Sequence, residues 1–143
     1  MRISEEEHLE RLRKVYLQAR TNQYYQPDIS LAPGKAEVSL TVRDDFHHGF
    51  DAVHGSVYFK LLDDAAYFAA QTKARHVYLV TSSFHIQFLR PISQGQMRAE
   101  GELVYWTRRH FVADAKVFDG KGREIARGSG NFVKSMVDIP EPE

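Results

Sequence analysis

Asp63 is the residue best placed to do chemistry, because it is a carboxylate on an apolar side of a predicted helix. The apolar periodicity predicts a helix over 57–73, which places Asp63 among Phe59, Ala66 and Ala70. A charge in such surroundings costs stability unless it is paired or used. Burial would raise the pKa of this carboxyl and suit it to act as a general base or nucleophile. The alternative is an ion pair with an Arg or Lys of a second subunit.

The neighbouring carboxylate, Asp64, is expected to have a different role. Lys60, Asp64 and Gln71 form the one polar edge of the helix. Lys60 and Asp64 are four residues apart, the spacing of an ion pair on a helix surface. We therefore interpret Asp64 as a solvated flanking residue.

The central helix is predicted to be apolar on two sides. One side should pack on a sheet, and it carries Tyr58, Leu61, Leu62, Ala65, Phe68, Ala69 and Thr72. The far side carries Phe59, Ala66, Tyr67 and Ala70. A helix that is apolar nearly all round is buried nearly all round, and we expect one small sheet to cover only one side. The pattern therefore predicts a homodimer or a dimer of dimers.

The elements that must hold this helix predict an α+β fold. A capping box at Ser4 and Glu7 predicts an N-terminal helix within residues 1–22. Strand patterns are predicted at 36–42, 77–89, 96–106, 111–118 and 123–133. This order predicts an antiparallel sheet of about five strands wrapped around one long central helix, with the last four strands in a meander. Residues 1–143 are interpreted as a single domain with a loose tail over 137–143.

Composition excludes several classes of function. The 143 residues contain no cysteine, which excludes disulfides, thiolate zinc sites and a cysteine nucleophile. Nineteen basic residues balance nineteen acidic ones, so general nucleic-acid binding is not expected. The sequence has no apolar stretch of membrane-spanning length, and its acidic N-terminus does not resemble a secretory signal. We expect a cytoplasmic protein without a membrane partner.

Several motifs in one order resemble the hotdog-fold acyl-CoA thioesterases of the phenylacetyl-CoA and 4-hydroxybenzoyl-CoA type. That family carries a His-Gly-Gly turn, a catalytic Asp or Glu nine residues after its His, and an Ile-x-Phe-Leu-Arg-Pro strand end. The corresponding residues here are His54-Gly55-Ser56, Asp63 and 86–91, followed by a closing hairpin over 119–128. The resemblance implies a hotdog fold and hydrolysis of an acyl-CoA thioester at a dimer interface.

The resemblance also implies roles for individual residues. Asp63 takes the position of the catalytic carboxylate, and the Gly55 N–H takes the oxyanion site at the helix start. His48 stands where the family has an Asn or Gln that contacts the thioester carbonyl, and a histidine can donate the same hydrogen bond. Thr81 matches the Ser or Thr that positions the attacking water or the carboxylate.

Substrate contacts follow from the same resemblance. The CoA phosphates would need cations, and the candidates are Arg90, Arg108 and Arg109, which are equally well interpreted as surface arginines. The acyl group would lie against Phe59, Tyr67, Phe84 and Phe88, although aromatic residues at this spacing more often form core. His54 and Ser56 would contact substrate at the turn, although a histidine in such a turn is more often structural. Ser56 replaces the family's second Gly and is also a good N-cap residue.

Some departures and alternatives stay open. Asp51 stands where the family usually has Gly. A metal site built from His47, His48, Asp51 and His54 is conceivable, but we expect no metal and no cofactor beyond the CoA of the substrate. The alternative functions are an acyl-CoA-binding or regulatory hotdog protein, a hydratase or dehydratase, and a structural dimer with a vestigial site. The acyl group, and its carriage by CoA or by acyl carrier protein, are not given by the sequence.

Overall fold

The structure is a computed structural model that describes residues 3–139. Its helices are α1 (Glu5–Gln18), α2 (Arg20–Tyr25) and α3 (Gly55–Gln71), with a 3-10 turn at Asp44–Phe46. Its strands are β1 (Asp28–Ala32), β2 (Lys35–Thr41), β3 (Val77–Phe88), β4 (Gln96–Trp106), β5 (His110–Asp119) and β6 (Glu124–Asp138).

The six strands form one sheet in the order β1-β2-β4-β5-β6-β3, and every neighbouring pair is antiparallel. The prediction of about five strands missed β1, a five-residue strand that directly follows Pro27. The predicted four-strand meander is wrong in one connection, because β3 pairs with β6 and not with β4. As a result β3 is an edge strand, and the meander is limited to β4, β5 and β6.

Helix α3 lies on the inner face of the sheet. Leu61, Leu62 and Ala65 have no exposed surface. The helix backbone approaches β4 so closely that a Cβ on Gly101 would lie 2.1 Å from the Ala65 carbonyl oxygen. A residue with a side chain at position 101 would therefore push the helix off the sheet.

Most of the far side of α3 is covered within the single chain, and Phe59 is the exception. Ala66 and Ala70 have no exposed surface. The Tyr67 ring packs edge-on against Phe132 of β6 at 5.8 Å between ring centroids, and its hydroxyl donates to the Leu79 carbonyl of β3 at 2.7 Å. The sheet thus curls around the helix. The prediction that these alanines need a second subunit to cover them is wrong.

The N-terminal segment is two helices and not the one predicted within 1–22. Ser4 caps α1 as predicted, since its hydroxyl accepts from the Glu7 N–H at 3.1 Å. The helix ends at Gln18, and α2 begins after Ala19. Tyr16 on α1 packs edge-on against Phe68 of α3 at 5.0 Å between ring centroids, so α1 lies over the central helix. Residues 1 and 2 of the predicted helix lie outside the described residues.

The chain end is more ordered than predicted. Strand β6 continues to Asp138, and Ile139 is buried with its N–H donating to the His76 carbonyl at 3.1 Å. The prediction of a loose tail is therefore wrong for 137–139, and residues 140–143 lie outside the described residues. Within 3–139, every helix is too short or too polar to cross a bilayer.

Candidate active site

Asp63 and Thr81 form a hydrogen-bonded pair between α3 and β3. The Thr81 hydroxyl donates to Asp63 Oδ1 at 2.9 Å. Burial raises the pKa of Asp63 to about 6, and the charge of Asp64 adds to this, while the Thr81 hydrogen bond and the charge of Lys60 oppose it. At neutral pH Asp63 is therefore largely ionised and still basic enough to accept a proton, which suits a general base or nucleophile.

Asp64 points away from this pair. Its Oδ2 accepts from Lys60 Nζ at 2.7 Å and from the Tyr16 hydroxyl of α1 at 2.7 Å. The predicted ion pair with Lys60 is present, but the prediction of a solvated position is wrong, because the Asp64 side chain is only 16% exposed beneath α1. Burial raises the pKa of Asp64, and Lys60 and Tyr16 oppose that change.

Gln71 also differs from the predicted polar edge. Its side chain is buried at the end of α3, where it accepts from the Leu79 N–H and donates to the Ala74 and Val77 carbonyls. Gln71 therefore fixes the start of β3 against α3. This link helps to set the spacing between Asp63 and Thr81.

His54 caps α3, and the predicted capping role of Ser56 is wrong. His54 Nδ1 accepts from the Ser56 N–H at 3.0 Å and lies 2.8 Å from the Ser56 hydroxyl. Because Nδ1 is an acceptor, a neutral His54 carries its proton on Nε2. The predicted structural role of His54 is therefore that of the N-cap of α3.

Gly55 offers a free donor at the helix start. Its N–H has no acceptor among residues 3–139. A Cβ at this position would lie 3.2 Å from two ring atoms of Phe88, so the glycine lets that ring pack directly on the backbone. The unpaired N–H and the helix dipole favour a negative oxygen here.

His48 lies in the loop that precedes the turn. Its Nδ1 accepts from the Phe50 N–H at 3.0 Å, so a neutral His48 carries its proton on Nε2 and can donate from it. Asp51 in the same loop has φ +61°, a left-handed conformation that glycine adopts readily and that Asp tolerates better than most residues. The local backbone thus accounts for Asp at a position where the family usually has Gly.

The predicted acyl contacts divide into two groups. Phe59 packs edge-on against Phe84 at 5.6 Å between ring centroids, and Phe88 packs similarly against Tyr58 at 5.5 Å. Phe59 is 38% exposed and Phe88 56% exposed, so both retain surface that a ligand can contact. Tyr67 is half-buried, and its hydroxyl donates to a backbone carbonyl of β3. Its main role is therefore in packing.

Within one chain the three predicted phosphate-binding arginines do not come together. Arg90 follows the end of β3, where its carbonyl accepts from the Tyr58 hydroxyl at 2.8 Å. Arg108 and Arg109 lie in the β4–β5 turn, where the Arg109 carbonyl accepts from the Lys134 N–H. Lys134 pairs with Leu79 near the start of β3. The arginines therefore occupy opposite ends of that strand.

The loop histidine His47 is engaged with backbone. Its Nε2 lies 2.8 Å from the Ser93 carbonyl oxygen, an arrangement in which the ring N–H donates. Across residues 3–139, His, Asp and Glu side chains form no group of three that could hold a metal ion.

Known structures share this architecture. The Escherichia coli PaaI protein from the phenylacetic acid degradation operon aligns with a TM-score of 0.86 at 22% identity, over 95% of this chain and 99% of that one. A mutant of the phenylacetic acid degradation protein PaaI from Thermus thermophilus aligns with a TM-score of 0.74 at 24% identity, over 82% and 100%. At these identities the likeness establishes the fold.

A sequence relative is more similar over a shorter span. A Saccharolobus solfataricus protein that is provisionally named as an esterase is 30% identical over 81 residues, which are 57% of this chain and 54% of the relative. The match thus spans about half the length of that relative.

A six-stranded antiparallel sheet wrapped around one long helix, with these structural neighbours, defines a hotdog-fold protein. The family model described as Thioesterase superfamily matches residues 50–126, which is more than half of the chain, and the chain belongs to that superfamily. The matched range includes Asp63, Gly55 and Thr81.

Proposed function

We propose that this protein hydrolyses acyl-CoA thioesters to the free acid and CoA, with Asp63 as the reacting carboxylate. The observation that carries the proposal is the Asp63–Thr81 pair at 2.9 Å, in a chain that belongs to the thioesterase superfamily. Burial makes Asp63 a stronger base than an ordinary aspartate. No catalytic metal or separate cofactor is part of the proposal.

The active site is proposed to combine two chains. Gly55 and Asp63 are eight residues apart on one straight helix, which is about 12 Å at 1.5 Å per residue. An oxyanion donor must lie about 3 Å from the carbonyl oxygen. One thioester carbonyl therefore cannot use both groups of the same chain. A homodimer, alone or within a dimer of dimers, would bring Gly55 of one protomer to Asp63 of its partner.

The edge strand β3 is the proposed meeting point of the two protomers. It is the last strand in the sheet order, so one of its sides carries backbone N–H and C=O groups without a partner strand. Thr81 lies on this strand beside Asp63. Pairing of two β3 strands would bury these groups and bring the two sites close to the dimer axis.

The reaction then needs few groups. The thioester carbonyl oxygen accepts from the Gly55 N–H and from His48 Nε2–H, and donors of this kind lower a barrier by about 3–4 kcal/mol. Asp63 either attacks the carbonyl carbon or takes a proton from a water held by Thr81. Attack by Asp63 breaks the C–S bond and forms a mixed anhydride, which water then hydrolyses to the free acid and the Asp63 carboxylate. Attack by water, with its proton taken by Asp63, gives the free acid as the C–S bond breaks. In both routes the CoA sulfur leaves as a thiolate and takes the proton that the water has lost.

The test is release of free thiol from a panel of short, long and aromatic acyl-CoAs. Aromatic esters belong in the panel because the structural neighbour PaaI comes from a phenylacetic acid degradation operon. We expect turnover of at least one class by the wild type, and its loss in Asp63→Asn. Tight binding of CoA esters without any turnover would instead favour a non-catalytic acyl-CoA-binding protein.

A further inference from the structure

Three side chains on one side of α3 hold the same short segment of β3. Asp63, Tyr67 and Gln71 follow each other at intervals of four residues, so they line one face of the helix. Asp63 accepts from the Thr81 hydroxyl, and the other two side chains both bond to the backbone of Leu79. The Asp63–Thr81 pair is therefore the first of a row of contacts between the two elements.

The backbone of Leu79 is fixed from the helix side. Its N–H donates to Gln71 Oε1 at 2.8 Å, and its carbonyl accepts from the Tyr67 hydroxyl at 2.7 Å. Its side chain is buried, with 1% of its surface exposed. Because Leu79 lies two residues before Thr81 on the same strand, a displacement of the Leu79 peptide would displace Thr81 as well.

Strand pairing alone gives Thr81 limited support. The β3–β6 register shifts on both sides of the run 79–81, which leaves three regularly paired residues between the two irregularities. Such irregularities bend a strand and re-aim its side chains. Thr81 is also exposed, so few side-chain contacts fix its hydroxyl. The position of that hydroxyl relative to Asp63 therefore depends on how firmly the backbone of β3 is held.

Tyr67 contacts both neighbours of Thr81. Along β3, its hydroxyl bonds to the Leu79 carbonyl. Across the sheet, its ring packs edge-on against Phe132, which is the β6 residue that pairs with Thr81. A second edge-on contact, with Phe68 at 5.0 Å between ring centroids, also orients the ring. A buried tyrosine needs one partner for its hydroxyl. The placement of these contacts around Thr81 distinguishes Tyr67 from a residue that only fills space.

We propose that Tyr67 is a positioning residue for the reaction, which holds β3 at the distance from α3 that lets the Thr81 hydroxyl bond to Asp63. This inference rests on the proposed function. Tyr67 acts through Leu79 and Phe132 and does not need to touch the substrate, which differs from the predicted contact with the acyl group. A displacement of about 1 Å in a reacting group can cost on the order of a hundredfold in rate. Removal of the hydroxyl alone should cost less, because the packing of the ring remains.

The first test uses Tyr67→Phe, which removes the hydroxyl and keeps the ring. With the best acyl-CoA at pH 6, kcat should fall about fivefold and KM should stay within about twofold, because substrate contacts are unchanged. The acid limb of the pH profile of kcat/KM should move to higher pH, because a weaker Thr81 hydrogen bond leaves Asp63 more basic. Tyr16→Phe, which removes the hydroxyl that α1 donates to Asp64, is the matched control and should keep the wild-type limb. An unmoved limb in Tyr67→Phe, or an equal movement in Tyr16→Phe, would overturn the inference.

A double variant shows whether Tyr67 acts through Thr81. Thr81→Val already removes the hydroxyl that Tyr67 is proposed to place. In that background, Tyr67→Phe should change kcat by less than about twofold, because effects that share one route do not add. Chemical denaturation shows that each variant is folded under the assay conditions. Fully additive effects would mean that Tyr67 influences the reaction by another route, and would overturn the inference.

The third measurement does not depend on turnover. The pKa of Asp63 is followed by NMR titration of protein labelled with ¹³C-aspartate, and Asp63→Asn assigns its signal. We expect a pKa of about 6 in the wild type and a higher one in both Tyr67→Phe and Thr81→Val. An unchanged pKa in Tyr67→Phe would overturn the inference. A wild type that hydrolyses no ester, together with a raised pKa in Tyr67→Phe, would refute the proposed function and still support the placement of Thr81 by Tyr67.

Discussion

Asp63 and Asp64 are adjacent in the sequence and on the same helix, yet their surroundings differ sharply. Asp64 has two strong partners, Lys60 and the Tyr16 hydroxyl, and lies beneath α1. Asp63 has one neutral partner, the Thr81 hydroxyl on the edge strand β3. Burial raises the pKa of both carboxyls, but only Asp64 has an adjacent cation as a direct partner.

This comparison shows that the number and kind of partners, more than burial alone, distinguish a structural carboxylate from a reactive one. A carboxylate in an ion pair has its lone pairs engaged and its orientation set by the pair. A carboxylate that accepts one hydroxyl bond keeps lone pairs for a water or an acyl carbon. Substitution of either carboxylate therefore tests this difference.

The largest difference is expected in turnover. Asp63→Asn should lower kcat by about a thousandfold or more, since it removes the proposed base or nucleophile. Asp64→Asn should keep kcat within about threefold of wild type, because Asp64 faces α1 and not Thr81. Thiol release from the best acyl-CoA measures both, with light scattering to show that each variant keeps the wild-type assembly. A comparable loss in Asp64→Asn would mean that the reacting carboxylate has been misassigned.

The same two substitutions should have opposite effects on stability. The unfolded Asp63 ionises near pH 4 and the folded one near pH 6, so the wild type loses stability as pH rises through that window. The loss reaches about 3 kcal/mol at neutral pH, at 1.36 kcal/mol per pKa unit. Asp63→Asn should therefore be more stable than wild type by about 2–3 kcal/mol at pH 7 and equal to it near pH 4.

Asp64→Asn should instead be less stable at pH 7 by about 2–3 kcal/mol, because it leaves Lys60 without its partner in a mostly buried position. Urea denaturation of the three proteins between pH 4 and 8 measures both effects. A pH-independent difference between wild type and Asp63→Asn would show that this carboxyl is not desolvated in the folded protein.

Much of the fold followed from local patterns. The predicted bounds of β4, 96–106, are the bounds in the structure. The predicted central helix, 57–73, differs from the observed α3 by two residues at each end. The pairing of β3 with β6 could not be predicted from local patterns. Strand pairing depends on how the whole sheet curls around α3, and a local pattern predicts a strand without naming its neighbour. The strand β1 alternates over only five residues, Asp28–Ala32, which is too short a run to be recognised as a strand pattern.

For the proposed site, the sequence predicts residues but not their surroundings. Asp63 is predicted from an apolar helix face, and Gly55 and Thr81 are predicted from the resemblance to a known family. The burial of Asp64 could not be seen, since its cover is Tyr16, which is 48 residues away in the sequence. The only sequence signal for this contact is that the apolar stripe of α1 includes Tyr16, which carries a hydroxyl group.

A smaller effect is expected when the cover over Asp64 is weakened. Tyr16→Phe removes the hydroxyl that donates to Asp64 but keeps the ring that packs on Phe68. A hydrogen bond to a charged group contributes about 1.5–3 kcal/mol, and we expect the variant to lose about that amount of stability. Its turnover should stay near wild type. Chemical denaturation measures the first quantity, and a large loss of kcat would indicate that the two carboxylates are coupled.

The smallest expected effect is a shift in pH dependence. The Thr81 hydrogen bond lowers the pKa of Asp63 against the larger effect of burial, so Thr81→Val should move that pKa above about 6. Because Asp63 must be ionised to act as base or nucleophile, activity falls as pH drops through this pKa. The acid limb of kcat/KM should therefore move to higher pH in Thr81→Val, and activity at pH 6 should fall a few-fold more than activity at pH 8. Thr81→Ser keeps the hydroxyl and should keep the wild-type limb. If the acid limb of kcat/KM is unchanged in Thr81→Val, the ionisation of Asp63 does not cause the pH dependence. Thr81 would then have a role only in holding water.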